Sequence, residues 1–199
     1  MRIKFIQILL IIFILQFVFG CSNALRLNYQ TPNAASSKIG KIVLVLDDQR
    51  NPEKGGNDPL VIGNVRNAFG MPFKAKASPQ REPSKVMREL LSSCLAAAGY
   101  EVVDESSNAP VLHATLKSFW SDGYQHQRMY IKMQTELVKE IGSSPVWISF
   151  VDVNEGFTVK TAGFKQMNAG YEKMLETTKN KLLTDFNLKE FYTAYKSIK

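Results

Sequence analysis

RMYIKMQTELV, residues 128–138, alternates apolar and polar side chains, cleanly through Met133 and less cleanly at Thr135 and Leu137. Met129, Ile131, Met133, Thr135 and Leu137 take one parity; Arg128, Tyr130, Lys132, Gln134 and Glu136 take the other. Successive residues of a strand point to opposite faces, so this pattern predicts a strand with one packed and one solvated face. The segments on either side repeat it. Val111–Phe119 alternates through Leu112, Ala114 and Leu116. Val146–Val153 alternates with Val146, Ile148 and Phe150 as the packed set, against Trp147, Ser149 and Val151. The short polar stretches SDGYQ (121–125) and IGSSP (141–145) separate the three. Such a run predicts an antiparallel meander, extended by a weaker strand over Phe157–Thr161.

Outward from the meander the period changes. SKVMRELLSSCLAAA, residues 84–98, places Val86, Met87, Leu90, Leu91, Cys94, Leu95 and Ala98 at three- and four-residue spacing, the stripe of a helix with one buried face. Pro83 suits its first turn and Gly99 the left-handed residue that ends it. Residues 169–186 carry a second stripe through Tyr171, Met174, Leu175, Thr178, Leu182 and Phe186. Asn187 is placed to cap a last short helix bearing Phe191 and Tyr195. Before the first helix, KIVLVL (41–46) reads as a strand buried on both faces or at a sheet centre. LVIGNVRNAFG, residues 60–70, reads as a short strand and turn, and 73–77 as a small edge strand; 100–103 form a short strand after the helix. The predicted fold class is α+β: a mostly antiparallel sheet packed on one side by two main helices, in a single domain over residues 40–199.

The amino terminus reads as an export signal. Met1–Lys4 is a short basic region, Phe5–Phe19 is apolar except for Gln7 and Gln16, and Gly20 precedes Cys21. The apolar run falls short of the roughly 20 residues that span a bilayer as a helix. Val18-Phe19-Gly20-Cys21 resembles the bacterial lipobox. That resemblance implies removal of residues 1–20 and acylation of Cys21 with a diacylglycerol and a further acyl chain such as palmitate. Each buried methylene contributes about 0.8 kcal/mol, and two or more chains anchor stably. The expected arrangement is a signal peptide over 1–20, a flexible tether over 21–39, and a periplasm-facing domain. Ser22, in place of the aspartate that retains enterobacterial lipoproteins in the inner membrane, implies by the same resemblance the cell outer membrane.

The chain carries a formal net charge of +7. The excess lies at the carboxyl end, where residues 160–199 hold eight lysines and four acids. Export argues against nucleic acid as a partner. Anionic lipid headgroups and envelope polymers are the available anions, and a solvated lysine face is the plainer reading.

Candidate chemistry is sparse. There is no Gly-rich phosphate loop, HExxH, CxxC or GxSxG. His113 and His126 have no cysteine or paired acid at ligand spacing, so neither a metal nor another cofactor is expected. Cys94 lies on the helix stripe and reads as a small buried hydrophobe. The sharpest polar group is Asp47, Asp48 and Arg50 at the end of the first predicted strand, with Arg66 expected to return toward them as the chain doubles back. It reads as a local charge cluster; a hydrolase using Asp47 or Asp48 is the alternative. Phe119, Trp120, Tyr124, Tyr130 and Trp147 crowd the meander, and those off the packed face suggest a contact surface or a second core layer.

Signal and Cys21, the strand IVLVLDDQR, the segment IGNVRNAFG, the helix VMRELLSSCLAAAGYEVV and a meander closed by a carboxyl-terminal helix together resemble YajG-type bacterial lipoproteins. The order of elements is also similar to that of the lipopolysaccharide-assembly lipoprotein. The resemblance implies a non-enzymatic envelope lipoprotein that binds an envelope partner. An accessory subunit of lipid or lipopolysaccharide transport is the narrower alternative. No oligomeric state is implied.

Overall fold

The computed structural model describes residues 24–51, 58–66, 72–104, 108–123, 126–158 and 164–199. Cys21, the signal segment 1–20 and Tyr124 lie outside them. Among the described residues the elements are β1 (Gly40–Asp48), β2 (Val61–Arg66), β3 (Pro72–Lys76), a 3₁₀ turn (Pro79–Arg81), α1 (Pro83–Ala97), β4 (Tyr100–Val103), β5 (Val111–Gly123), β6 (His126–Val138), β7 (Trp147–Thr158), α2 (Phe164–Asn187) and α3 (Lys189–Ile198).

The meander forms as its alternation predicts. β5 and β6 pair antiparallel with Leu112 opposite Leu137 and Phe119 opposite Ile131; β6 and β7 pair antiparallel with Met133 opposite Val151. Met129, Ile131, Met133, Thr135 and Leu137 are all buried on the helix side. In β5 the alternation breaks once. A register shift between Leu116 and Ser118 lets one extra residue in, so that Phe119, not Ser118, follows Leu116 into the core.

The amino-terminal strands enter in parallel. β1 lies between β4 (Ile42 opposite Val102) and β5 (Leu44 opposite Leu112). β2 pairs with β5 farther along it, with Gly63 opposite Ser121, and carries β3 antiparallel on its outer side. One edge of the long β5 therefore serves two strands in succession, and the other serves β6. The sheet is mixed, with its longest pairings antiparallel. The helix α1 makes the crossover that a parallel return from β1 to β4 needs.

Both helices cover the same face. Every residue of the two predicted stripes is buried. Gly99 ends α1 with φ +91°, and a Cβ there would come within 2.9 Å of the Ser37 carbonyl oxygen, so the tight turn into β4 requires glycine. The predicted cap at Asn187 is not formed that way. Asn187 closes α2, its Nδ2 donating to the Leu183 carbonyl at 2.7 Å, and the extended Leu188 precedes α3.

Two expectations are corrected. Residues 24–39 are not a free tether. Leu25 and Leu27 are fully buried, Leu25 bridges to Ala77, and the Leu27 carbonyl accepts from Arg81 Nε at 3.0 Å and Nη2 at 2.6 Å. The Gln30 N–H donates to Glu176 Oε1 at 2.5 Å, and the Ala35 N–H to the Ala96 carbonyl at 3.0 Å. The segment is a strap across α1 and α2, seated by two leucines too few to register as an element on their own.

The phase of β7 is also inverted. Val151 and Val153 are buried, and Trp147 packs edge-on against Phe191 with centroids 4.7 Å apart. Val146, Ile148 and Phe150 face outward. VWISFV is apolar in both parities, so its own pattern does not choose a side. The register with β6 does: Leu137 opposite Trp147, Met133 opposite Val151 and Ile131 opposite Val153 put the odd positions on the helices.

Candidate functional site

The inversion of β7 creates the most unusual surface of the domain. Among the described residues β7 pairs with β6 alone, so it forms an edge of the sheet. Ile148 is 45% exposed, Phe150 62% and Val146 43%, with Ile141 at 70% in the preceding turn. Edge strands expose unpaired backbone groups and are usually blunted by charge or cover. Here the first half of the edge carries branched and aromatic groups on its helix-free side, before Asp152, which pairs with Lys132 at 3.1 Å. The register places Glu136 beside Ile148 and Gln134 beside Phe150. The underside of the edge is fixed: the Ser149 hydroxyl donates to Asp185 Oδ2 of α2 at 2.7 Å, and Trp147 sits on Phe186 and Phe191. A rigid strand presenting apolar groups without their own core contacts is suited to binding.

The aromatic group expected to form a surface divides between faces. Phe119 stacks on Tyr171 inside the helix layer, with centroids 6.0 Å apart and planes 6° off parallel. Trp120 stands opposite Tyr130 on the other side, yet is only 4% exposed, and the Lys74 ammonium lies 5.9 Å from its ring centroid. Phe150, which the alternation of residues 146–153 places in the core, is instead exposed. The available signal was the two-sided apolarity of residues 146–151.

The acidic cluster is a loop clasp. Both oxygens of Asp48 accept from Arg50, Nε to Oδ1 at 2.8 Å and Nη2 to Oδ2 at 2.6 Å, and Arg50 Nη2 also donates to the Pro59 carbonyl at 3.1 Å. Gln49 Nε2 donates to Asp47 Oδ2 at 2.5 Å. Asp58, next to Pro59 in sequence, makes a separate contact: it accepts Lys76 Nζ at 2.7 Å and the Leu60 N–H at 3.0 Å. Those two bonds, Lys76 first, hold its carboxyl below the usual range. Arg66 does not return to this cluster. β2 runs on in the direction of β1, and Arg66 lies beyond the Asn64–Asp122 pairing, while Asp48 pairs with Leu116. At about 3.3 Å per residue along β5 the two ends are roughly 20 Å apart.

The other singled-out residues have structural settings. Burial pushes the Cys94 thiol up to about 12, and its Sγ lies 3.8 Å from the Lys179 carbonyl. His113 stands between Val45 and Glu136 on the helix-free face. His126 is exposed at the start of β6. Among the described residues no group of three or more His, Cys, Asp and Glu converges to hold a metal ion. Open clefts of about 640 Å³ and about 530 Å³ lie between Tyr29 and α1 and beside Gly40 and Tyr195; neither is lined by Asp47 or Asp48. No described helix is long and apolar enough to cross a membrane.

The fold is similar to that of a Xanthomonas campestris protein of the family DUF330, known from a crystal structure. The TM-score is 0.60 at 15% identity, covering 87% of this chain and 98% of that one. At that identity the likeness is one of fold alone. A crystal structure of an uncharacterized protein matches with a TM-score of 0.46 at 12% identity over 81% of this chain and 98% of the other. A lipoprotein from Neisseria meningitidis matches with a TM-score of 0.37 at 13% identity over 65% and 92%, and neither of these weaker matches carries an argument. No family model matches the chain, and no curated protein matches it. The class defined is therefore an α+β domain of mixed sheet under one helix layer, of the fold also found in that DUF330 protein.

Proposed function

We propose that the chain is a lipid-anchored envelope protein of the bacterial outer membrane. It is attached through Cys21, faces the periplasm, is not an enzyme, and binds a protein partner through the outer side of β7. The observation that carries the partner reading is the exposure of Ile148 and Phe150 on a rigid sheet edge. The anchor rests on the lipobox-like residues 18–21. The absence of catalysis is supported by the clasp, in which Arg50 occupies both oxygens of Asp48.

Two measurements test this. Metabolic labelling with palmitate should mark the wild-type chain and not Cys21→Ser; label on the variant sinks the anchor. For the partner, a photo-crosslinking residue at position 150, in cells, should give a discrete adduct. With the crosslinker kept at position 150, Ile148→Lys should abolish that adduct, and Ile148→Lys combined with Phe150→Lys should fail to complement a deletion strain at matched protein level. Full complementation by a folded double variant overturns the β7 reading.

A further inference from the structure

The strap limits how the domain can sit on its membrane. Resting on the proposed anchor at Cys21, the geometry points to the β2–β3 edge of the sheet, with the start of the strap, as a surface that lies on anionic phospholipid headgroups; β7, at the opposite edge, faces away.

Leu25 is the first fixed point. It is fully buried, its N–H donates to the Lys76 carbonyl at 2.8 Å, and its carbonyl accepts from the Ser78 N–H at 3.1 Å. The next N–H, of Arg26, donates to Asn168 Oδ1 at 2.8 Å. Leu25 follows Cys21 by four residues, and a fully extended chain of that length reaches at most about 14 Å. A domain of this size is roughly 40 Å across from its expected radius of gyration. An anchor on so short a lead cannot let the domain tumble freely, and the edge holding Leu25 is the near one.

Charge agrees with that placement. Residues 24–30, 58–66 and 72–81, which build this edge, contain Arg26, Arg66, Lys74, Lys76 and Arg81; Lys76 pairs with Asp58, the acid of these segments, and Arg81 with Glu89 of α1. Arg26, Arg66, Lys74 and Lys76 are exposed. β7 contains Asp152 and Glu155 and no basic residue. Both β7 acids are already paired, Asp152 with Lys132 at 3.1 Å and Glu155 with Lys173 at 2.8 Å, so anionic headgroups attract the first edge and gain no such attraction at the second. The same orientation leaves Ile148 and Phe150 open to the periplasm, where a protein partner can reach them.

The test uses the acylated full chain in vesicles of phosphatidylethanolamine and phosphatidylglycerol. Single cysteines are placed at exposed Gln80, beside the strap, or at exposed Asn154 on β7. With Cys21 acylated and Cys94 buried, each variant has one reactive thiol for a nitroxide label. Relaxation by a nickel-chelating lipid should be severalfold stronger at position 80 than at 154. The contrast should shrink in Arg26→Gln/Lys74→Gln/Lys76→Gln and in vesicles of neutral lipid. An acylated chain with equal relaxation at the two sites, or stronger relaxation at 154, overturns the orientation. A mass spectrum showing Cys21 without acyl chains overturns the anchor itself, and the orientation with it.

Discussion

The Tyr195 hydroxyl grips the Lys41 peptide, accepting its N–H at 3.1 Å and donating to its carbonyl at 3.2 Å. This ties α3 to the first strand. It is possible because residue 40 is glycine: a Cβ there would lie 1.9 Å from the tyrosine oxygen and 2.6 Å from Cζ. Tyr100 meets Tyr195 and Phe191 edge-on at 5.1 and 5.3 Å, so the grip also seats an aromatic cluster.

Gly40→Ala should therefore displace the tyrosine ring and destabilise the domain by about 1–3 kcal/mol, the range for inserting an atom where there is no space. Tyr195→Phe should cost about 0.5–1.5 kcal/mol for the lost hydrogen bonds. Placed in the Tyr195→Phe background, Gly40→Ala should cost less than in wild type, since the closest atom is gone. Denaturant midpoints of the four chains measure this, and strictly additive costs would show that the two residues do not interact.

The strap should loosen in acid. Burial raises the Glu176 carboxyl, but the ammonium of Lys179 beside it and the N–H of Gln30 lower it further, and the net direction is down. A folded-state value below the unfolded one contributes stability that is present above the ordinary carboxylate range and is lost as pH falls through the depressed value. Glu155, lowered first by its bond to Lys173 and also by Thr177 against the raising effect of burial, adds in the same sense. Protection of the Gln30 amide against hydrogen exchange, corrected for the intrinsic rate, should fall as pH drops below about 4.5, the unperturbed value for glutamate. Glu176→Gln should weaken that protection at neutral pH and flatten its pH dependence. Unchanged protection of Gln30 in acid would contradict this.

Tyr171 joins the helix layer to the sheet at a fully buried site. The Ile62 carbonyl can only accept, so the Tyr171 hydroxyl donates to it at 2.9 Å, and the Ser121 hydroxyl, 2.6 Å away, donates to Tyr171. Tyr171→Phe strands the carbonyl and should cost about 1–3 kcal/mol. A double-mutant cycle with Ser121→Ala should give a clear coupling energy, because each residue satisfies the other. A coupling of zero would mean that the two hydroxyls are satisfied independently.

Periodicity carried most of the fold. Both helix stripes and the alternation of β6 follow from residues that must bury one face, and each names its own partners through its period. What escaped was set by contacts distant in sequence. Nothing in Leu25 or Leu27 shows that they dock on α1, α2 and the end of β3; only the finished surface offers them a place. The side on which Val146, Ile148 and Phe150 stand was hidden because Trp147 and Val151 are equally apolar, and register with β6 decides between them. The parallel entry of β1 and β2 depends on the length of β5, which has room for both. Of the polar cluster, the Asp48–Arg50 contact was legible because it is local, whereas the Arg50–Pro59 link joins residues nine apart and Arg66 leaves along β2.

That local contact yields the last prediction. Asp48 and Arg50 have side chains 26% and 13% exposed and meet through two parallel hydrogen bonds, so their pairing belongs at the upper end of the about 0–1 kcal/mol that partly exposed pairs contribute. Arg50 also holds the Pro59 carbonyl, which links the end of β1 to the approach to β2. Asp48→Asn keeps the shape but removes the charge and one acceptor. It should lower stability by no more than about 1 kcal/mol. Arg50→Met removes the link to Pro59 as well and should lower it further. Neither change touches β7, so both variants should complement a deletion strain at matched protein level and retain the adduct from position 150. The decisive result is the pairing of the two readouts. Loss of complementation by Asp48→Asn or Asp47→Asn, with an unaltered melting temperature, would mean that the carboxylates act on something other than their own loop, and a hydrolytic role would replace the binding role proposed for this chain.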